Sequence, residues 1–214
     1  MANPTAQQNR ALSDYTKLLN EARVRMNALG VLISNDGLPL PQGVRVESAY
    51  LQIRMLCEVV ALGCLTVHGY LPGTQVVNMQ SSYKADFILN KLEGLHAKFY
   101  LVPVTVTDTP LGDGRTNHHM DPITSGFLKR SELIALYRKC GDRIHRGSIR
   151  KFQSDAEHVW DEDFRVLGEL WEKLHTLLGT HLISSLDGRA HYLCHLSNSQ
   201  VNGNALIALA TAPD

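Results

Sequence analysis

Apolar residues recur at three- and four-residue steps through the first thirty positions: Tyr15, Leu18, Leu19, Ala22, Met26 and Leu29, with Lys17, Glu21, Arg23 and Arg25 between them. This rhythm predicts an amphipathic helix over about 5–29, with Gly30 placed to close it. A turn-forming stretch with Asn35, Asp36, Gly37, Pro39 and Pro41 follows. Residues 45–69 read as a second helix, apolar almost all round (Tyr50, Leu51, Ile53, Met55, Leu56, Val59, Val60, Leu62, Leu65, Val67). A helix without a polar face belongs in the middle of a bundle. Pro72 and Gly73 end it, and a third helix is expected over about 82–96, turning Tyr83, Phe87, Ile88, Leu92 and Leu95 inward.

The period then changes. Tyr100, Val102, Val104 and Val106 alternate with Leu101, Thr105 and Thr107, which predicts a strand over 100–107, and Pro103 argues for a sheet edge. Residues 108–122 are too rich in Gly, Pro, Asp and Asn for regular structure and read as a long loop. A fourth helix starts near Lys129, carries Leu133, Ile134, Tyr137, Cys140 and Ile144 inward, and stops at Gly147. The fifth opens on a capping box of Ser154 and Glu157 and continues through Trp160, Phe164, Leu167, Trp171, Leu174 and Leu178. After Gly179, two alternating runs at about 189–196 and 204–211 read as a β-hairpin pairing with the strand near residue 104.

The sum is a mainly α fold in a single domain, 1–214. A bundle of about five helices spans 5–181, with the strand 100–107 and loop 108–122 inserted, and the hairpin 182–214 completes a small antiparallel sheet. A chain of 214 residues buries enough surface to fold without staples. Its 21 basic and 21 acidic side chains balance, so any polyanion must be held by a local patch. Cys57, Cys64, Cys140 and Cys194 form no CxxC pair and read as small hydrophobes in a reducing, cytoplasmic protein. The first ten residues lack the apolar core of a signal peptide. The most apolar stretch, Met55–Leu65, carries Glu58 and falls short of the ~20 residues of a membrane span, so no membrane partner is expected.

Candidate chemistry concentrates in 138–151, where Arg138, Lys139, Arg143, Arg146, Arg150 and Lys151 surround His145. At ~100° per residue, Arg138 and His145 return to nearly one helix face, ~10 Å apart along the axis, with Asp142 between them. A guanidinium grips a phosphate through two N–H groups, and an imidazole with a pKa near 6.5 moves protons at neutral pH. Asp142 can orient either group. The competing reading is a solvated basic helix end, where Arg143 and Arg146 favour the C-terminal carbonyls.

A late helix bearing Arg-x6-His in a helical bundle resembles the HEPN superfamily, over residues 45–178. That resemblance implies a homodimer with the two motifs face to face and metal-independent endoribonuclease activity in a toxin or defence effector, with no cofactor. Catalysis would fall to Arg138, which stabilises phosphoryl charge, His145, the general acid and base, and Asp142 beside them. Arg143, Arg146, Arg150 and Lys151 would bind the RNA. Lys139 follows Arg138 where the family often has asparagine or another polar residue, which leaves Arg138 and Arg143 both open as the working arginine.

Arg54 and Glu58 lie four apart in the apolar second helix. They either support the Arg138/His145 face or form a buried ion pair that specifies packing. His68, on the same stripe, reads as a partly exposed helix-end histidine. His118, His119 and Asp121 are ligand types, but adjacent histidines in a loop make a poor metal site, and His191 and His195 lack a third ligand. Gly112 and Gly114 mark a turn without the Lys-Ser/Thr of a phosphate loop. Tyr137, Trp160 and Trp171 read as core anchors. Three classes of function stay open: an RNA-cleaving enzyme, a module that holds RNA, a nucleotide or a protein without cutting, and a structural protein docking through its hairpin edge.

Overall fold

The computed structural model describes residues 6–34, 37–69, 77–110, 116–144, 160–184 and 191–210. Its elements run α1 (Ala6–Ser34), α2 (Gln42–His68), the one-turn α3 (Val77–Gln80), α4 (Ala85–Leu95), β1 (Val102–Pro110), β2 (Thr116–Pro122), α5 (Arg130–Ile144), α6 (Asp161–Gly179), β3 (Thr180–Ser184), β4 (His191–Asn198), a 3-10 turn (Ser199–Val201) and β5 (Asn204–Ala210). This is the mainly helical fold with a small antiparallel sheet that the periodicity predicts. The strands are ordered β2-β1-β3-β4-β5.

α2 lies at the centre. Ile53, Leu56, Cys57, Val60 and Cys64 are buried, and α1, α4, α5 and α6 all pack against it. The helix is long and apolar enough to cross a membrane by composition, but 61% of its most apolar window is buried inside the protein, as expected of a core helix. Gly63 permits its closest crossing, because a Cβ there would lie 2.5 Å from the ring of Tyr15 on α1.

α1 runs through Gly30 to Ser34 instead of ending at the glycine. Tertiary contacts explain the extension. The Trp171 indole lies over Gly30 and donates to the Met26 carbonyl at 3.2 Å. Buried Arg45 satisfies terminal carbonyls of α1, with Nε to Leu32 O at 3.1 Å and Nη2 to Ile33 O at 3.2 Å, and its guanidinium stacks 4.6 Å from the Phe164 ring centroid.

The sheet departs from expectation in three ways. Residues 116–122, expected in a loop, form β2 and pair with β1 from Val104↔Pro122 to Pro110↔Thr116. Pro103 is not on an edge. It lies where β1 changes partners, pairing with β3 at Val102 and Pro103 and with β2 from Val104 onward, so its missing N–H interrupts little. The hairpin β4–β5 reaches β1 through β3, a strand the periodicity misses. In the helix expected over 82–96, Tyr83 precedes α4 and is 63% exposed, and Leu95 is 40% exposed, so neither points inward as expected. Gly147 and the Ser154/Glu157 capping box lie outside the described residues.

Two buried histidines pin the bundle to the sheet and to the α4–β1 turn. The Tyr15 hydroxyl donates to His181 Nε2 at 2.8 Å, which leaves His181 Nδ1–H to donate to Leu178 O at 3.1 Å. His68 is fully buried, not partly exposed, because its ring packs edge-on to His96 at 5.0 Å and Nε2 meets Phe99 O at 3.2 Å. Burial first, and a neighbouring imidazole second for His68, lowers the pKa of each to about 4. Folding therefore favours the neutral rings. Their contribution is complete above pH ~6.5 and falls away as the pH drops toward 4. At pH 5 the loss amounts to about 2 kcal/mol for each ring. Urea denaturation is expected to give a midpoint well below its pH 7.5 value at pH 5, and a smaller drop in His181→Gln; equal midpoints at the two pH values would contradict the neutral buried assignment.

Candidate functional site

The outward side of α5 is held in place from beneath. Tyr137 and Cys140 face α2 and are buried, while Arg138 and Lys139 face out. Arg54, rising from α2, donates through Nη1 to the Tyr137 carbonyl at 3.2 Å and through Nη2 to its hydroxyl at 2.8 Å. The guanidinium carbon stands 4.1 Å from the Tyr137 ring centroid, a cation–π contact as well as a pair of hydrogen bonds. Arg54 Nε lies 3.5 Å from Glu58 Oε1. Burial raises the Tyr137 pKa, with the Arg54 charge opposing the rise and Glu58 adding to it. Gly141 leaves room for the guanidinium, since a Cβ there would sit 2.9 Å from Arg54 Nη1. Arg54, with Glu58 beside it on α2, thus fastens α2 to α5.

The two arginines of α5 that the sequence leaves open turn to different neighbours. Arg138 reaches α4, where Nε and Nη2 contact Asp86 Oδ2 at 3.2 and 3.1 Å, and its side chain is 63% exposed. Arg143 turns to α6, where Nη2 lies 3.1 Å from Oδ1 of buried Asp163. Its guanidinium stands 5.5 Å from the ring of Tyr50, whose buried hydroxyl has no hydrogen-bond partner among the described residues. Burial raises the Tyr50 pKa, with Arg143 acting against it.

These pairs differ in kind. An exposed ion pair contributes ~0–1 kcal/mol and exchanges readily with other anions. Asp163, by contrast, is buried, so its pair with Arg143 is the costlier of the two to break. Arg143 joins α5 to α6, and Arg138 is the more exposed of these two arginines.

Asp142 is exposed one turn beyond Arg138, but the carboxylate bound to Arg138 is Asp86. His145, Arg146, Arg150 and Lys151 lie outside the described residues. Cys57 and Cys140 share the α2–α5 interface; burial pushes the Cys140 thiol up to about 12 and the Cys57 thiol well above its usual range, so both stay protonated and unreactive. The histidines of β2 each face a carboxylate, His118 Nδ1 to Asp108 at 2.6 Å and His119 Nε2 to Asp121 at 3.1 Å, on a solvent-exposed ribbon. Among the described residues, no three His, Cys, Asp or Glu side chains stand together as a metal site.

Asp86, Asp163 and Tyr50 carry no signal in the linear sequence beyond their types. Both aspartates do fall in the first turn of a helix, where an acidic residue suits the dipole. No family model, curated protein or solved structure matches the chain.

Replacing Arg54 by Met would strand Glu58 and remove two hydrogen bonds from Tyr137. With both charges partly solvated, the expected destabilisation is about 2 kcal/mol, and Arg54→Met/Glu58→Gln should recover part of it. Urea titration of the two variants checks this; an unchanged midpoint in Arg54→Met would show that the clamp carries no stability.

Proposed function

We propose that the outward end of α5 binds single-stranded RNA through Arg138 and cleaves it without a metal, in the manner of HEPN-like ribonucleases. The observation that carries this reading is the exposure of Arg138 on a helix that Arg54, Tyr137 and the Arg143–Asp163 latch hold fixed. A fixed helix backbone holds an exposed guanidinium at one place, the arrangement that electrostatic stabilisation of developing charge calls for.

In the proposed reaction, the 2′-oxygen of one nucleotide attacks the adjacent phosphorus. The bond to the 5′-oxygen of the next nucleotide breaks, leaving a 2′,3′-cyclic phosphate and a free 5′-hydroxyl. His145, seven residues beyond Arg138, would take the 2′-hydroxyl proton or supply one to the leaving oxygen. Arg138 would donate to the non-bridging oxygens, where negative charge grows. Arg146, Arg150 and Lys151 extend positive charge beyond α5, which suits a backbone spanning several phosphates. Assembly as a dimer with two such motifs facing each other belongs to the same proposal.

The test uses labelled single-stranded RNA incubated with protein in excess chelator. Wild type is expected to generate cyclic-phosphate ends. His145→Ala and Arg138→Ala are each expected to fold with a native circular dichroism spectrum and to lose at least 100-fold in rate. Undiminished cleavage in either variant removes that residue from the mechanism. Salt-sensitive binding without any cleavage by wild type would leave a binding module in place of the enzyme.

A further inference from the structure

Building on the reading of Arg138 as the phosphate contact, we infer that Asp86 of α4 is a built-in competitor for that contact: its carboxylate occupies the guanidinium edge that a phosphate would take, and RNA binding proceeds by exchange of one anion for the other.

The geometry of the pair supports exchange over simple cross-bracing. Both Arg138 bonds, from Nε and from Nη2, converge on one oxygen, Asp86 Oδ2, at 3.2 and 3.1 Å. That side of the guanidinium, with its two parallel N–H groups, is an edge suited to a bidentate oxyanion. The carboxylate therefore stands where a phosphoryl group would bind, and the guanidinium edge is covered while no ligand is present.

Departure of Arg138 leaves Asp86 well provided for. Its other oxygen, Oδ1, accepts the Phe87 backbone N–H at 2.9 Å. Asp86 also lies in the first turn of α4, where unsatisfied N–H groups and the helix dipole favour negative charge. A carboxylate supported in this way loses little when its cation moves. Arg138 in turn exchanges one anion for another at a solvent-exposed position, where desolvation is slight.

The Arg143–Asp163 pair is less suited to such exchange, because its carboxylate is buried whereas that of Asp86 is only half-buried. The same helix thus carries one ion pair to a buried carboxylate and one exchangeable pair. The exchangeable pair sets a threshold: a weakly bound single phosphate competes poorly with a tethered carboxylate, whereas a polyanion held by neighbouring basic residues displaces it.

A double-mutant cycle on Asp86 and Arg138 tests the inference. Binding of a fluorescein-labelled 2′-O-methyl oligoribonucleotide, which the proposed reaction cannot cut, is followed by anisotropy at fixed salt. Asp86→Asn keeps an oxygen for the Phe87 N–H and removes the charge that holds Arg138, so affinity is expected to rise about three- to tenfold. In an Arg138→Ala background, Asp86→Asn is expected to leave affinity nearly unchanged.

An equal gain in both backgrounds would mean that only the net charge matters, and would overturn the competitor role. No gain, or weaker binding, in Asp86→Asn would overturn it as well. Unaltered affinity in Arg138→Ala alone would instead remove Arg138 as the RNA contact, and with it the reading on which the inference rests. Asp86→Ser, with a hydroxyl that can also accept from the helix terminus, is the second variant if Asp86→Asn does not fold, and the same gain and the same dependence on Arg138 are expected of it.

Discussion

The position of α5 depends on one guanidinium. Arg54 comes from the middle of a helix whose other inward side chains are almost all apolar, and it meets Tyr137 three ways, through the ring face, the hydroxyl and the backbone carbonyl. A charge there is tolerable because Glu58 stands one turn away and because Tyr137 accepts two of the other N–H groups. The contact fixes the height and rotation of α5 together, since a backbone carbonyl and a side-chain hydroxyl of the same residue are held at once. Gly141 completes the fit by leaving the guanidinium space on the next turn of α5.

With its inner face clamped, α5 distributes its other charges to either side. Arg143 closes on a buried aspartate of α6, and exposed Arg138 rests on a half-buried aspartate of α4. Counting positive charges along 138–151 treats these arginines alike, but the fold does not. One is tied to a buried carboxylate. The other is a surface cation with a replaceable partner. In a chain with no net charge, that difference decides which basic group can serve a polyanion.

The helices were legible because their apolar stripes are long and their period unambiguous; α6, with Leu167, Leu174 and Leu178 all buried, is the clearest case. What the period could not show was decided by partners distant in sequence. α1 passes Gly30 because Trp171 and Arg45 take up that turn and its carbonyls. β2 has no alternating apolar face, since both sides of its ribbon are largely exposed, and only pairing with β1 makes it a strand. β3 is five residues long and follows directly from α6, too short for a pattern to emerge. The same limit applies to the site. The basic run and the Arg54/Glu58 spacing could be read directly, whereas Asp86 lies 52 residues from the arginine it binds, and no local rule joins them.

The claim at the centre is that Arg138, and neither Arg54 nor Arg143, changes partners when RNA binds. Side-chain 15N NMR of the arginine Nε–H groups, with and without an uncleavable oligoribonucleotide, observes this directly. The expected result is a large displacement of the Arg138 resonance at saturating RNA, with those of Arg54 and Arg143 in place. An unmoved Arg138 signal, or displacement of Arg54 or Arg143 in its stead, would contradict the division of roles along α5.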